Sequence, residues 1–503
     1  MEIAAFVMEN NLLTSLFLTL TPLILLFITI KYSKTEKNFP PGPRPLPIIG
    51  NIHQIGSKPH VSTAMLAKEY GPLVSLRLGS KLLVVASSPE AAKEILKTQD
   101  RHLSGRNVPD AFNLSKVDCH FVWAKDCNEH WKSLRTISRS EMFSSKAIED
   151  ESILRHEKLV QMLNFLNTKQ GQVVKIEEVV FTTLFNTLSN ILFSKDFLDL
   201  NDEHGTAHWI KFGLQKALEN GMTPNVSDFF PIFRGLDLQG LRRDSFKRLA
   251  EVSSFTDAII EERRARIASS VTKEAVEVEE KDFLDRLLDN NFTNTQINIL
   301  VTELFIAGTD TVVSTIEWAM AELLKNKEIL DKVHEELKLE ISSNSIMKSD
   351  LSKLTYFNAC VKETLRLHPV VPLLIPRRAL EACEVMNYTI PQNSQVWVNI
   401  WAISRDPKVW EDPDTFKPER FVGSHLDFSG RDFEFIPFGG GRRMCPGLPS
   451  GIKSLQTILA SLILEYDWVL PNNEDPENLD MNEKFGVTLQ KEKPLELIFK
   501  HKE

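Results

Sequence analysis

The sequence predicts one large, mainly α-helical domain with small β-sheets, set behind a single N-terminal transmembrane helix. Three observations lead there. Apolar residues recur at helical spacing through most of the chain, notably over 129–140, 179–193, 255–267, 295–325, 327–341 and 357–367. Only short runs read as strands, foremost 73–78 and 81–86, which form a pair near the start of the body. Polar breaks at 269–281 and 471–482 are exposed loops within one unit, since neither separates two self-sufficient cores, and no internal repeat is found. At 503 residues the length alone leaves the domain count open, so it is the missing boundary that decides for one domain.

The first element is the anchor. Residues 12–30 carry no charge and are rich in Leu, Ile and Phe; a helix of that length spans roughly 28 Å at about 1.5 Å per residue, close to a hydrocarbon core. A cleaved signal peptide is the competing reading, but the run is long for one, no Lys or Arg precedes it and no small-x-small site follows. Lys31, Lys34 and Lys37 follow the run while Glu2 and Glu9 precede it, which assigns residues 1–11 to the lumen and everything downstream to the cytosol. Residues 31–47 are a basic and proline-rich hinge. Within it Phe39-Pro-Pro-Gly-Pro-Arg-Pro-Leu-Pro47 cannot continue a helix and makes a stiff extended linker. Residues 48–503 form the body.

Composition narrows function by exclusion. A formal charge of −9 argues against a general nucleic-acid binder. Five cysteines with no CxxC pair and no cluster fit neither a disulfide framework nor a zinc site. They place the body in a reducing compartment, in agreement with the cytosolic orientation, and the sequons at Asn113, Asn225, Asn291 and Asn387 are read as unglycosylated.

The most informative segment is Phe438-Gly-Gly-Gly-Arg442-Arg443-Met-Cys445-Pro-Gly447. Glycines let backbone N–H groups approach a sulfur closely, and neighbouring cations favour the ionised thiol. Taken alone the segment marks a thiolate site, with an inert buried cysteine or a phosphate-binding loop as alternatives. The Gly-Lys-Ser/Thr ending of a phosphate loop and the spacing of a dinucleotide fingerprint are both missing. The pattern Phe-x-x-Gly-x-Arg-x-Cys-x-Gly resembles that of the cytochrome P450 family. The resemblance implies the cytochrome P450 fold and a bound haem b, with Cys445 as the axial ligand of the iron and Arg443 against a haem propionate. A thiolate donates electron density to iron and favours O–O cleavage, which suits an oxygenase.

Three further motifs follow the same family pattern. Ala307-Gly308-Thr309-Asp310-Thr311 lies inside a long helical stretch, where a hydroxyl bonding back to the backbone is expected to open a local kink. By resemblance Thr311 serves oxygen activation and Asp310 helps deliver protons; Val312 departs from the Thr or Ser often found next and bears on pocket shape. Glu363 and Arg366 stand one helical turn apart, and the resemblance joins them with Arg420 in a Glu-Arg-Arg network that supports haem retention. Glu261 and Arg264 share that spacing but are read as a solvated face. Trp131 and Arg135 share a helix face, and the resemblance carries both, together with Arg377, to a haem propionate.

No flavin or nicotinamide signature is present, so the resemblance implies electrons from NADPH through a separate NADPH–cytochrome P450 reductase in the endoplasmic reticulum membrane, docking on the cysteine side. Sequence detail looks like plant microsomal members that oxidise terpenoids and alkaloids. The expected reaction is hydroxylation or oxidative rearrangement of a small apolar metabolite with O₂. A reductase-independent isomerase or dehydratase of the same fold and a non-catalytic haem protein are the alternatives. Segments 104–122, 306–311, 370–375 and 485–488 are expected to line the pocket, and Asp110 or Asp118 is a candidate partner for a cationic amine, with a solvated loop acid as the plainer reading.

Overall fold

A computed structural model of the chain describes residue 22 and residues 38–113, 120–201, 206–270, 281–341 and 351–502. The anchor expected at 12–30, residue 22 apart, the basic first part of the hinge at 31–37 and Asp118 lie outside the described residues. The elements that position the site are helices α1 (Pro59–Tyr70), α2 (Glu129–Ser138), α3 (Ser152–Thr168), α4 (Ile176–Phe193), α5 (Thr206–Met222), α6 (Leu241–Ser270), α7 (Asn294–Lys325), α8 (Lys327–Glu340), α9 (Thr355–Leu367) and α10 (Leu448–Glu465).

Strands are short. β1 (Leu73–Leu78) and β2 (Lys81–Ala86) form the expected antiparallel pair. The sheet is extended by β3 (Arg377–Arg378) and β4 (Gln395–Val398), with Val84 beside Val396 in a parallel pairing and Arg377 opposite Val396 in an antiparallel one. The order β1-β2-β4-β3 puts Arg377 on an edge strand of the sheet, where it is buried.

The centre of the fold is α7. Its start is set by a capping box: Thr293 accepts from the Gln296 N–H while the Gln296 side chain accepts from the Thr293 N–H at 2.9 Å. The helix is long and apolar enough to cross a bilayer, yet most of it is buried inside the protein. Its apolar residues face neighbours on several sides, as in a core helix. Phe305 stacks on Phe185 of α4 with centroids 4.2 Å apart, and α9 and α10 pack against other faces. The helix runs unbroken through 307–311, so the expected kink is not present as a break. The hydroxyls do bond back, Thr309 to Phe305 O and Thr311 to Ala307 O at 2.7 and 2.8 Å. Those bonds add to the backbone ladder instead of replacing it.

Candidate functional site

The cysteine loop is held from behind by its glycines. Gly439 and Gly441 have positive φ, and a Cβ on Gly441 would meet Leu96 O at 2.2 Å and the Asp100 carboxylate at 2.5 Å, so only glycine fits. Cys445 donates its backbone N–H to Phe438 O at 3.0 Å, closing the loop, and α10 starts three residues later. Cys445 is exposed on one side, with protein around the rest of its side chain. That surrounding protein pushes the thiol pKa up, while the Gly447 N–H, the Arg135 guanidinium and the Leu448 N–H pull it down. The balance is a raised pKa. Arg442 turns outward to Asp100 at 3.0 Å, and Arg443 is spent on the carbonyls of Ser104 and Ala124 at 3.0 and 2.7 Å.

Beside the loop lies a cluster of guanidinium groups. Asn128 caps α2 by accepting the Trp131 N–H at 2.9 Å, which fixes the phase of the helix so that Trp131 and Arg135 face inward. Trp131, expected to reach a propionate, gives its indole N–H to Phe121 O at 2.9 Å. It contributes a flat surface instead, with Arg443 at 4.8 Å and Arg135 at 5.6 Å from the ring centroid. Arg135 in turn donates to Met444 O, and Arg377 donates to Asp100 at 2.9 Å and to Gly440 O at 2.9 Å. Arg106, which no sequence motif singled out, is buried in the same cluster and bonds the carbonyls of Ile375 and Pro376. Burial lowers the pKa of Arg106, Arg377 and Arg443, and their neighbouring guanidiniums lower those of Arg106 and Arg443 further. Arg443 Nη1 and Arg106 Nε are buried and have no hydrogen-bond partner among the described residues.

Unsatisfied cations of this kind call for an anionic ligand. A dicarboxylate porphyrin whose iron takes a sulfur ligand meets both demands: the propionates suit the guanidiniums and the iron suits the open Cys445. The residues present therefore fit haem.

The opposite wall is α7. Ala307 and Gly308 are exposed in the middle of an otherwise buried helix, with Thr311 half-exposed one turn on. Because the Thr311 hydroxyl donates to Ala307 O, its oxygen is left as an acceptor. Asp310 is buried, and burial pushes its carboxyl pKa up to about 7, with Lys211 lowering it and Glu177 raising it. Lys211 and Glu177 themselves pair at 2.8 Å.

A cavity of about 560 Å³ adjoins this wall. Its lining takes residues from all four expected segments, among them Pro109, Asp310, Leu374 and Val487. It also includes much of α5, which the sequence reading left out. Leu374 connects the cavity to the cysteine loop, since its methyl carbons lie 3.7 and 3.9 Å from the Cβ position of Gly439. Asp110 is buried, with its backbone N–H on Asp228 at 3.1 Å and its charge felt by Lys81; Asp228 lines the cavity and Asp110 does not.

The Glu-Arg-Arg network is assembled on the other side of the loop. Glu363 and Arg366 are fully buried and doubly bonded at 2.7 and 2.8 Å, and Arg420 joins Glu363 at 3.2 Å. Glu261 and Arg264, by contrast, reach the start of α7: Arg264 donates to Asn294 and Phe292 O, and Asn294 donates to Glu261. That face is a helix junction and not merely solvated.

The fold and this site define an enzyme built around a cofactor with a metal and two acid groups. The chain belongs to the cytochrome P450 family, whose sequence model matches residues 40–499. It is 49% identical to the probable (S)-N-methylcoclaurine 3'-hydroxylase isozyme 2 of Coptis japonica, over 95% of this chain and 96% of that protein. Identity is 46% to (S)-N-methylcoclaurine 3'-hydroxylase isozyme 1 of Papaver somniferum, over 92% and 95%, and 44% to corytuberine synthase of Coptis japonica, over 94% and 96%. The protein is a cytochrome P450 monooxygenase that uses haem b, O₂ and electrons from NADPH supplied by a reductase. The isomerase and non-catalytic alternatives are set aside.

Proposed function

We propose that this monooxygenase hydroxylates or oxidatively couples a small alkaloid of the N-methylcoclaurine type at the endoplasmic reticulum membrane. In this reading Cys445 is the axial ligand, Arg443, Arg135 and Arg377 form the propionate side with Trp131 as the flat surface under Arg443 and Arg135, and Asp310 and Thr311 are the proton-handling pair. The observation that carries the substrate class is similarity of 44–49% sustained over nearly the whole chain to enzymes named for such alkaloids.

Bound haem supplies oxygen activation and the insertion chemistry. The chain's own residues do the rest. The apolar cluster of Phe112, Trp123 and Leu218, with Ile306 and Val487 against it, excludes water and presents a flat-walled surface to an aromatic ligand. Asp310, half-protonated near pH 7, can hold or release a proton on α7. Thr311, whose hydroxyl hydrogen is committed to Ala307 O, accepts a hydrogen bond at the helix face where Ala307 and Gly308 leave room. Arg106 and Arg443 neutralise acid groups in a place where water cannot.

An apolar surface supports the membrane reading. Leu46, Ile48 and Ile49 are exposed, as are Ile232, Phe233, Leu236 and Leu238. The two stretches meet at the β1–β2 turn, where Gly79 N–H bonds Ile49 O and Ser80 N–H bonds Phe229 O, each at 3.1 Å. A contiguous apolar face next to the hinge suits a chain lying against a bilayer.

The test is reconstitution with reductase and NADPH against a panel of alkaloids, (S)-N-methylcoclaurine included, and terpenoids. Products are identified by mass: a gain of one oxygen marks hydroxylation, a loss of two hydrogens marks coupling. Turnover of terpenoids with none of the alkaloids would overturn the substrate class.

A further inference from the structure

Glu303 stands on α7 one turn before Ala307 and is buried, and no motif accounts for it. Its carboxylate reaches across to the segment 120–122, beyond the 3₁₀ turn at 110–112. Oε2 accepts the backbone N–H groups of Phe121 and Val122 at 2.6 and 2.9 Å, and Oε1 lies 2.9 Å from His120 Nδ1. The same short segment is pinned from the cofactor side. Trp131 donates to Phe121 O at 2.9 Å, Arg443 to Ala124 O at 2.7 Å and Arg378 to Lys125 O at 3.2 Å. Between these anchors sit Trp123, which lines the cavity with Leu218, and Val122, which packs in the same apolar cluster with Phe112 and Ile306.

The backbone of 120–125 is thus a bridge between the guanidinium cluster and the long helix, with Glu303 as its fixing point on α7. A buried carboxylate accepting two adjacent N–H groups sets the position of both residues, because either donor left unpaired there carries a desolvation penalty. We propose that Glu303 is a positioning residue for substrate: through the backbone of 121 and 122 it sets where Val122 and Trp123 stand, and so which bulky ligands the cavity accepts. It need not touch the ligand. Gln at this position is neutral: its one oxygen meets both N–H groups only with the NH₂ turned toward His120 Nδ1, and the charge that strengthened both bonds is gone.

The inference rests on the family assignment and is independent of the alkaloid reading, so the probes are two iron-binding azoles. Imidazole is small enough to bind without meeting the wall, whereas 4-phenylimidazole carries an aromatic ring that must fit against it. Spectral titration of E303Q is expected to leave imidazole affinity within about two-fold of wild type and to weaken 4-phenylimidazole by roughly five-fold or more, the low end of a lost buried hydrogen bond. Hydrogen exchange at the Phe121 and Val122 amides should accelerate in the same variant. Should E303Q fail to hold haem, E303D carries the same expectation, since its shorter stem draws the carboxylate away from both donors. Equal affinities for 4-phenylimidazole in wild type and the folded variant overturn the proposal. Loss of haem from both variants also overturns it, because it assigns Glu303 to the fold alone.

Discussion

Replacing Glu363 by Gln tests the energetic role of the network that supports the cysteine loop. Glu363 is fully buried and accepts four hydrogen bonds, two from Arg366 at 2.7 and 2.8 Å, one from Arg420 at 3.2 Å and one from the Lys417 N–H at 2.8 Å. A single carboxylate therefore balances two guanidinium charges. Gln keeps the shape, removes the charge and turns an NH₂ group toward a donor. Breaking such a pair costs about 3–5 kcal/mol, a large part of the roughly 5–15 kcal/mol that holds a typical protein folded. The assay is thermal unfolding followed by haem absorbance, with haem content measured on the purified protein. E363Q is expected to lose haem at a much lower temperature than wild type. The double variant E363L/R366M, which removes both charges, should recover only part of the loss. Arg366 also donates to the carbonyls of Ser404 and Pro413 at 2.6 and 2.7 Å, and the double variant leaves these acceptors bare. An E363Q protein with wild-type haem content and unfolding temperature would refute the reasoning.

Asp310 and Thr311 give two further expectations. The folded carboxyl of Asp310 has a pKa of about 7 against an ordinary 3.8, so its contribution to stability is fully present below 3.8 and lost as pH rises through 7. D310N should therefore equal wild type in unfolding temperature near pH 4 and exceed it at pH 8, while product formation falls and loses its dependence on a group titrating near 7; a difference independent of pH would count against a buried titrating acid. T311V, which keeps the shape of Thr311 without its hydroxyl, should continue to oxidise NADPH but convert several-fold less of it into product, and T311S should restore the coupling; unchanged product per NADPH would remove Thr311 from oxygen chemistry.

The parts of the site that lie close together in the chain were legible in the sequence. The cysteine loop, the stretch through 307–311 and the pairing of Glu363 with Arg366 each occupy one loop or one face of one helix, where spacing determines contact. The helices were legible because apolar periodicity follows burial, and the ends of α7, α8 and α9 fall within a residue or two of the expected limits. Contacts across the fold left no such trace. Arg377 meets Asp100 across 277 positions, and Glu303 meets Phe121 across 182. Neither acid stands in a motif, and a lone Glu or Asp in a helix reads as a solvated residue. The partners of the loop arginines were hidden for a related reason: Arg442 and Arg443 stand near Cys445 in the sequence, but only the fold shows that their guanidiniums are engaged by Asp100 and by the carbonyls of Ser104 and Ala124. The expected kink in α7 failed because back-bonding hydroxyls were taken to compete with the helix ladder, whereas here they coexist with it.

The central claim is that Cys445 carries the haem iron. Its most direct test is the difference spectrum of the reduced, carbon monoxide-bound protein, recorded for wild type and for C445S. The expected result is the long-wavelength Soret band of a thiolate-ligated ferrous carbonyl in wild type and its complete loss in C445S. Retention of that band in C445S would place the iron on another residue and contradict the assignment.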